Sequence, residues 1–238
     1  MNNKAKMIAG VLTPRILQAW QANGSSDIAL EAQLCHVIEI RYDLFPSSLW
    51  PFLAAQVADL APQALRLATI RLQCDGGQFA DKESANRWDA WQEILSADVL
   101  PHWVDMEQDH FQDLPHLVTL AHTKNCKVLA SRHDFQCVPS LDTLREYVDV
   151  SRQWNVEGFK IAAMAHHPQD CEPLYQIIQE QASGFEVFSA FAMGATGQIS
   201  RTKSYQYGAN LGYGAIGEIV APGQISVQRM LETLRVDA

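Results

Sequence analysis

No apolar run in this 238-residue sequence approaches the length that a bilayer-spanning helix needs. The apolar stretch Met7–Leu12 follows Lys4 and Lys6 but is too short for the core of a secretory signal, and Thr13-Pro14-Arg15 interrupts it at once. Cysteine is scarce. The five residues Cys35, Cys74, Cys126, Cys137 and Cys171 are odd in number and show no C-x-x-C spacing. That argues against a disulfide framework and a thiolate zinc site, and it fits a reducing compartment. We therefore expect a cytoplasmic protein. Positive charge is also short, with 18 Lys and Arg against 27 Asp and Glu and a net charge of −9. Such a surface repels phosphate backbones and anionic lipid, so neither nucleic acid nor membrane is an expected partner. An anionic ligand would need a local island of arginines. Finally, no G-x-G-x-x-G opens a helix after a strand and no Walker sequence is present, which disfavours nucleotide-binding sheets.

What remains is a chain with 47% hydrophobic residues, ample for a large core. Short apolar runs alternate with longer amphipathic stretches. The runs predict strands over Met7–Leu12, Val37–Asp43, Leu67–Leu72, Trp103–Glu107, Lys127–His133, Gly158–Met164, Glu186–Ala192 and Tyr213–Ile219. Several are almost continuously apolar, as strands covered on both faces are. Helical spacing appears over Ser48–Leu60, Ser84–Leu95, Leu141–Trp154, Pro173–Gln181 and Ser226–Leu234, with Ser140 a candidate N-cap. Eight strands alternating with helices predict an α/β fold, a (β/α)8 TIM barrel, with an open doubly wound sheet as the alternative. No linker or repeat divides the chain, so residues 1–238 read as a single domain.

Charged residues gather at the C-terminal ends of these strands: Glu39, Arg41 and Asp43, then Arg71, Asp105 and Glu107, then His133 and Asp134. A barrel enzyme builds its site at that end, although strand ends also simply meet solvent. Lys160 stands alone in the apolar run Gly158-Phe-Lys-Ile-Ala-Ala-Met164. Desolvation can make such a lysine a carbonyl nucleophile. It can equally snorkel or pair with a carboxylate. His133 at a strand end suits a general acid/base, or a structural histidine. His166 and His167 lack the spacing and further ligands of a metal site, and no metal is expected.

Seven blocks, taken in order, resemble type I 3-dehydroquinate dehydratase over nearly the whole chain. They are Glu39-Ile-Arg41-Tyr-Asp43, Arg71 followed by Gly76-Gly77, Asp105-Met-Glu107, Ser131-Arg-His-Asp-Phe135, Phe159-Lys-Ile-Ala-Ala-Met164, Met193-Gly194 with Ser200-Arg201, and Ala221-Pro-Gly-Gln-Ile225. The resemblance implies a (β/α)8 barrel, usually dimeric, that converts 3-dehydroquinate to 3-dehydroshikimate with no metal or organic cofactor. It implies that Lys160 forms a Schiff base with the substrate and that His133 moves the protons. Arg201 would hold the substrate carboxylate, while Glu39, Arg41, Arg71 and Gln224 bind hydroxyls or neighbouring side chains. Met193 would pack on the ring and Ala221–Gln224 would close over it. Two departures stand out. Asp75 occupies a position where the family usually has a glutamate that orients the histidine, and Val220 one where it usually has a serine. Asp75 before Gly76-Gly77 is also what a turn requires on backbone grounds alone. Another Schiff-base lyase or aldolase would share the barrel and the lysine, and a sensor that kept the fold without turnover is the non-enzymatic alternative.

Overall fold

The computed structural model describes residues 4–22, 26–81, 86–108, 114–219, 221 and 223–236. Eight strands run in parallel: β1 (Met7–Leu12), β2 (Val37–Arg41), β3 (Leu65–Thr69), β4 (Trp103–Glu107), β5 (Lys127–Asp134), β6 (Gly158–Met164), β7 (Val187–Met193) and β8 (Leu211–Gly214). From β1 to β7 each strand pairs with the next in sequence, and β8 pairs with β1, which leaves one seam between β7 and β8. The result is a nearly closed α/β barrel with helices between the strands, as the alternating pattern predicts. The outer layer includes α1 (Pro14–Ala22), α2 (Asp27–Gln33), α3 (Trp50–Leu60), α4 (Arg87–Ile94), α5 (Leu114–Thr123), α6 (Leu141–Gln153) and α7 (Glu172–Gln181). It continues with α8 (Gly194–Gly197), α9 (Ser200–Tyr207) and α10 (Val227–Val236). Ser140 caps α6 by accepting from the Thr143 N–H, as read from sequence.

β1, β4 and β6 match their sequence reading, β5 differs by one residue at one end and β7 by one at each, β2 stops at Arg41 where Tyr42 begins a helical turn, and β3 and β8 differ most. β3 ends at Thr69 because Arg71 and Leu72 leave the sheet for a tight turn, in which the Gly77 N–H donates to Leu72 O at 2.7 Å. β8 ends at Gly214, after which Ala215 bridges to Ser226 and Gly217 takes a positive φ. The apolar run continues, but the backbone turns away.

Strand alternation sends one set of side chains outward to the helices and the other into the barrel. The floor of the interior holds Val37, Leu67, Trp103, Leu129 and Leu211. Gly158 makes room there, since a Cβ would lie 2.7 Å from Leu129 and 3.1 Å from the Trp103 ring. Above this apolar plug the interior turns polar, and that change of character places the site.

The floor carries a fourfold device. The residue before each even-numbered strand turns a side-chain acceptor back to the second N–H of the odd strand before it. His36 Nδ1 accepts from Ile8 at 3.2 Å and His102 Nδ1 from Arg66 at 3.0 Å. Glu157 Oε2 accepts from Val128 at 2.9 Å and Asn210 Oδ1 from Phe188 at 2.8 Å. Asn210 does most, because β7 and β8 share no ladder. Its own N–H donates to Phe188 O and its Nδ2 to Glu186 O, which stitches the seam. From α9, Ser204 Oγ donates to Ala190 O at 2.7 Å on the same side.

An acceptor imidazole must be neutral at Nδ1. Burial lowers the His36 pKa, and burial together with Arg66 lowers that of His102. The sign follows directly. A histidine depressed in the fold lends stability above its unfolded value near 6.5, and loses it as pH falls below that value. Asn210 shows that an amide serves in this place without titrating. We expect His102→Asn to match the parent in urea unfolding at pH 7.5 and to lose less stability on acidification to pH 5. His102→Ala should cost about 0.5–1.5 kcal/mol at pH 7.5. Equal acid losses in parent and His102→Asn would contradict the cap.

Candidate active site

At the C-terminal end of the barrel lies a cavity of about 240 Å³. Nine residues singled out above line it, Glu39, Arg41, Arg71, Asp75, His133, Lys160, Met193, Arg201 and Gln224, while Asp43, Asp105, Glu107 and Asp134 do not. Val220 lies outside the described residues. Among residues that carried no sequence assignment, Tyr213, Phe191 and Phe135 also line the wall.

The floor of the cavity is one level of the barrel. Glu39, Asp105, Lys160 and Tyr213 come from β2, β4, β6 and β8, every second strand, as the layered packing of such barrels dictates. Lys160 Nζ donates to Asp105 Oδ2 at 3.1 Å, lies 3.6 Å from Glu39 Oε1, and sits 4.2 Å from the centre of the Tyr213 ring. The lysine is 4% exposed, so it does not snorkel, and it meets the carboxylates that an interior cation needs. Glu39 in turn accepts from Thr69 Oγ1 at 2.9 Å.

Above the lysine, Arg71 organises the charges. Its guanidinium meets Asp105 Oδ1 at 3.0 Å and Glu107 Oε1 at 3.0 Å, and donates to Ser131 Oγ at 3.1 Å. Glu107 also pairs with Arg87 from α4, a buried arginine that the sequence reading placed only on a helix. Ser131 Oγ donates to Asp105 Oδ1 at 2.6 Å. Burial alone would lower the Arg71 pKa, but Asp105, Glu107 and Glu39 outweigh it and raise it. Burial likewise opposes ionisation of Asp105, yet Arg71, Lys160 and His133 hold that carboxyl well below the usual range.

His133 is half-buried at the end of β5, with Nδ1 3.3 Å from Arg71 Nη1 and its ring stacked near Phe135 at 6.5 Å. Burial, then the cations Arg71 and Lys160, push its pKa well below the ordinary histidine value. A neutral imidazole at physiological pH can accept a proton. Asp75 is buried in the turn after β3 and lines the same cavity. Arg201, which also lines the cavity, is 2% exposed, its guanidinium 4.6 Å from the Phe191 ring, and burial lowers its pKa to about 10. Arg41 is clamped by Asp43 through two bonds of 2.8 and 2.7 Å. Gln224 is buried in the loop after β8. Gly223 brings that loop home, with φ of +71° and the Gly194 carbonyl standing where a Cβ would be.

The profile of the type I 3-dehydroquinase family matches residues 23–238. The chain belongs to that family. It is 30% identical over 211 residues to the 3-dehydroquinate dehydratase of Staphylococcus haemolyticus, covering 83% of this chain and 84% of that one. It is 29% identical over 227 residues to the catabolic 3-dehydroquinate dehydratase of Acinetobacter baylyi, covering 90% and 80%. The fold superposes with a TM-score of 0.82 on a crystal structure of the type I enzyme from Clostridium difficile, at 20% identity, covering 99% of this chain and 93% of the other. In this type I 3-dehydroquinase the arginines Arg41, Arg71 and Arg201 line the cavity together with Lys160.

Asp105 partners two buried cations, so its loss should be felt in the fold itself. A carboxyl depressed by folding lends stability above its unfolded value near 3.9, and that stability drains as pH falls below it. We expect Asp105→Asn to lose about 3–5 kcal/mol at pH 7, with the gap to the parent narrowing between pH 4 and pH 2. Urea titrations that run parallel at pH 7 and pH 3 would refute the assignment.

Proposed function

We propose that this chain dehydrates 3-dehydroquinate to 3-dehydroshikimate through a Schiff base on Lys160. The family is one of hydro-lyases, and the chain is a member. What carries the mechanistic reading is one observation: the buried Lys160 nitrogen forms the floor of a cavity whose walls hold His133 and Arg201. Lys160 first passes a proton to the neutral His133, and its freed lone pair attacks the C3 ketone to give a carbinolamine. The His133 imidazolium returns that proton to the carbinolamine hydroxyl, which departs as water and leaves an iminium. That cation acidifies the C2 proton, because the electrons of the C2–H bond can become an enamine. His133, neutral in the free enzyme, takes this proton. The enamine electrons then reform the iminium and break the C1–O bond, and the His133 imidazolium protonates the departing hydroxyl. A second water hydrolyses the iminium and frees Lys160. The sum is one substrate in, one product and one water out.

The remaining residues serve binding. The Arg201 fork suits a carboxylate. Glu39, Arg41, Arg71 and Gln224 offer donors and acceptors to ring hydroxyls, and Met193 an apolar face. The iminium is itself the electron sink, so the scheme calls for no cofactor or metal. We read the protein as a cytoplasmic homodimer of single barrel domains. The five unpaired cysteines of the fold support the reducing compartment.

Purified protein with 3-dehydroquinate should generate the ultraviolet absorbance of a conjugated enone. Borohydride added during turnover should leave a mass adduct that peptide mapping assigns to Lys160. An adduct elsewhere, or full turnover by Lys160→Ala, would overturn the mechanism.

Asp75 is proposed to orient His133 and to stabilise its imidazolium. Asp75→Asn should then lower kcat by at least about tenfold with little change in KM, and Asp75→Glu should retain far more of the rate. Parental activity in Asp75→Asn would reduce the residue to its turn.

A further inference from the structure

Tyr213 was not among the residues the sequence singled out, and it does not behave as a hydrogen-bonding tyrosine. Its hydroxyl is buried without a hydrogen-bond partner among the described residues. A buried, unpaired hydroxyl costs stability, so hydrogen bonding does not explain the residue. What engages is the ring face. Lys160 Nζ lies 4.2 Å from its centroid, well inside the range of a cation–π contact. Burial and the nearby carboxylates of Glu39 and Asp105 keep the phenol neutral, so the ring acts as a quadrupole and not as a phenolate.

The arrangement extends one step further. The Phe191 ring lies 5.8 Å from that of Tyr213, and the Arg201 guanidinium lies 4.6 Å from the Phe191 ring. Arg201 also donates to the Tyr213 carbonyl at 3.4 Å. Two adjacent rings from β7 and β8 therefore each face a cation, and their packing spaces the lysine nitrogen from the arginine fork.

We propose that Tyr213 is a further catalytic residue whose ring face stabilises the positive charge on the Lys160 nitrogen, above all in the iminium intermediate. The proposal rests on the Schiff-base reading given above. Its physical content differs from that of the two carboxylates. Asp105 and Glu39 attract the cation but are also bases that can take its proton. An aromatic face attracts the cation and has no basic atom to offer. It therefore favours the protonated iminium, the form that withdraws electrons from C2, in a place where water is excluded and the attraction is little screened.

The test compares ring-preserving and ring-removing variants. Tyr213→Leu should lower kcat about 3- to 30-fold with a much smaller change in KM, and should reduce the borohydride-trapped fraction at saturating substrate. Tyr213→Phe keeps the face and loses only the unpaired hydroxyl. Its kcat should stand well above that of the leucine variant. If Tyr213→Leu fails to fold, replacement of Tyr213 by mono-, di- and trifluorophenylalanine decides the matter. Fluorine weakens the quadrupole with little change of shape, so kcat should fall stepwise along the series. A flat series, or a leucine variant that folds and turns over like the parent, overturns the proposal while leaving the Schiff base intact. No adduct in the parent protein would instead remove the mechanism on which the proposal stands.

Discussion

The site depends on a single buried carboxylate shared between two cations. Asp105 holds Lys160 through one oxygen and Arg71 through the other. Each cation has a second carboxylate, Glu39 for Lys160 and Glu107 for Arg71, but Asp105 joins the two, and a buried charge left short of partners is costly. The arrangement propagates outward. Arg71 passes charge to Glu107, Glu107 to Arg87, and Ser131 fills the remaining valence of Asp105. Each group satisfies one neighbour and constrains the next, so the lysine is held in place before any substrate arrives. Such preorganisation spares the reaction the reorganisation that water would demand.

That network needs a rigid frame, and the barrel supplies it from below. The apolar plug of Val37, Leu67, Trp103 and Leu129 separates the charges from the solvent at the floor. The acceptors at His36, His102, Glu157 and Asn210 fasten the strand starts in pairs. Chemistry and fastening thus occupy opposite ends of the same strands. A histidine stands at both ends, as a neutral acceptor at the floor and, at the mouth, as the neutral imidazole proposed as the base.

Much of this could be read from the chain alone. A lone lysine in an apolar run, and acids and arginines at strand ends, are visible because burying charge is costly enough to be meaningful. Lys160, Asp105 and Arg71 announced themselves in that way. Arg87 did not. It lies on a helix whose apolar face hid the fact that one polar residue turns inward, and only the three-dimensional path to Glu107 shows it. Tyr213 was silent for the opposite reason. A tyrosine in an apolar strand is ordinary, and its face becomes informative only beside a particular nitrogen. The fourfold caps were equally invisible, since four different sites use His, Glu and Asn for one task and leave no repeated letter. The end of β3 differs from the sequence pattern because Ile70 and Leu72 carry the apolar run onward while the backbone turns.

The turn at Asp75 and the role proposed for its side chain need not compete. The backbone around it is fixed from several directions. The Gly77 N–H returns to Leu72, the Cys74 N–H donates to Asp81, and the Gln78 N–H donates to Asp43. Asp43 is the same carboxylate that clamps Arg41, so the turn and the rim arginine are held by one group. A short side chain on a fixed backbone has few places to go, and a one-carbon spacer leaves less entropy to lose than a glutamate would. The aspartate therefore trades reach for rigidity. In the role proposed for it toward His133, a shorter reach is offset by how firmly this turn is tied, and the tie runs through Asp43 to the neighbouring strand.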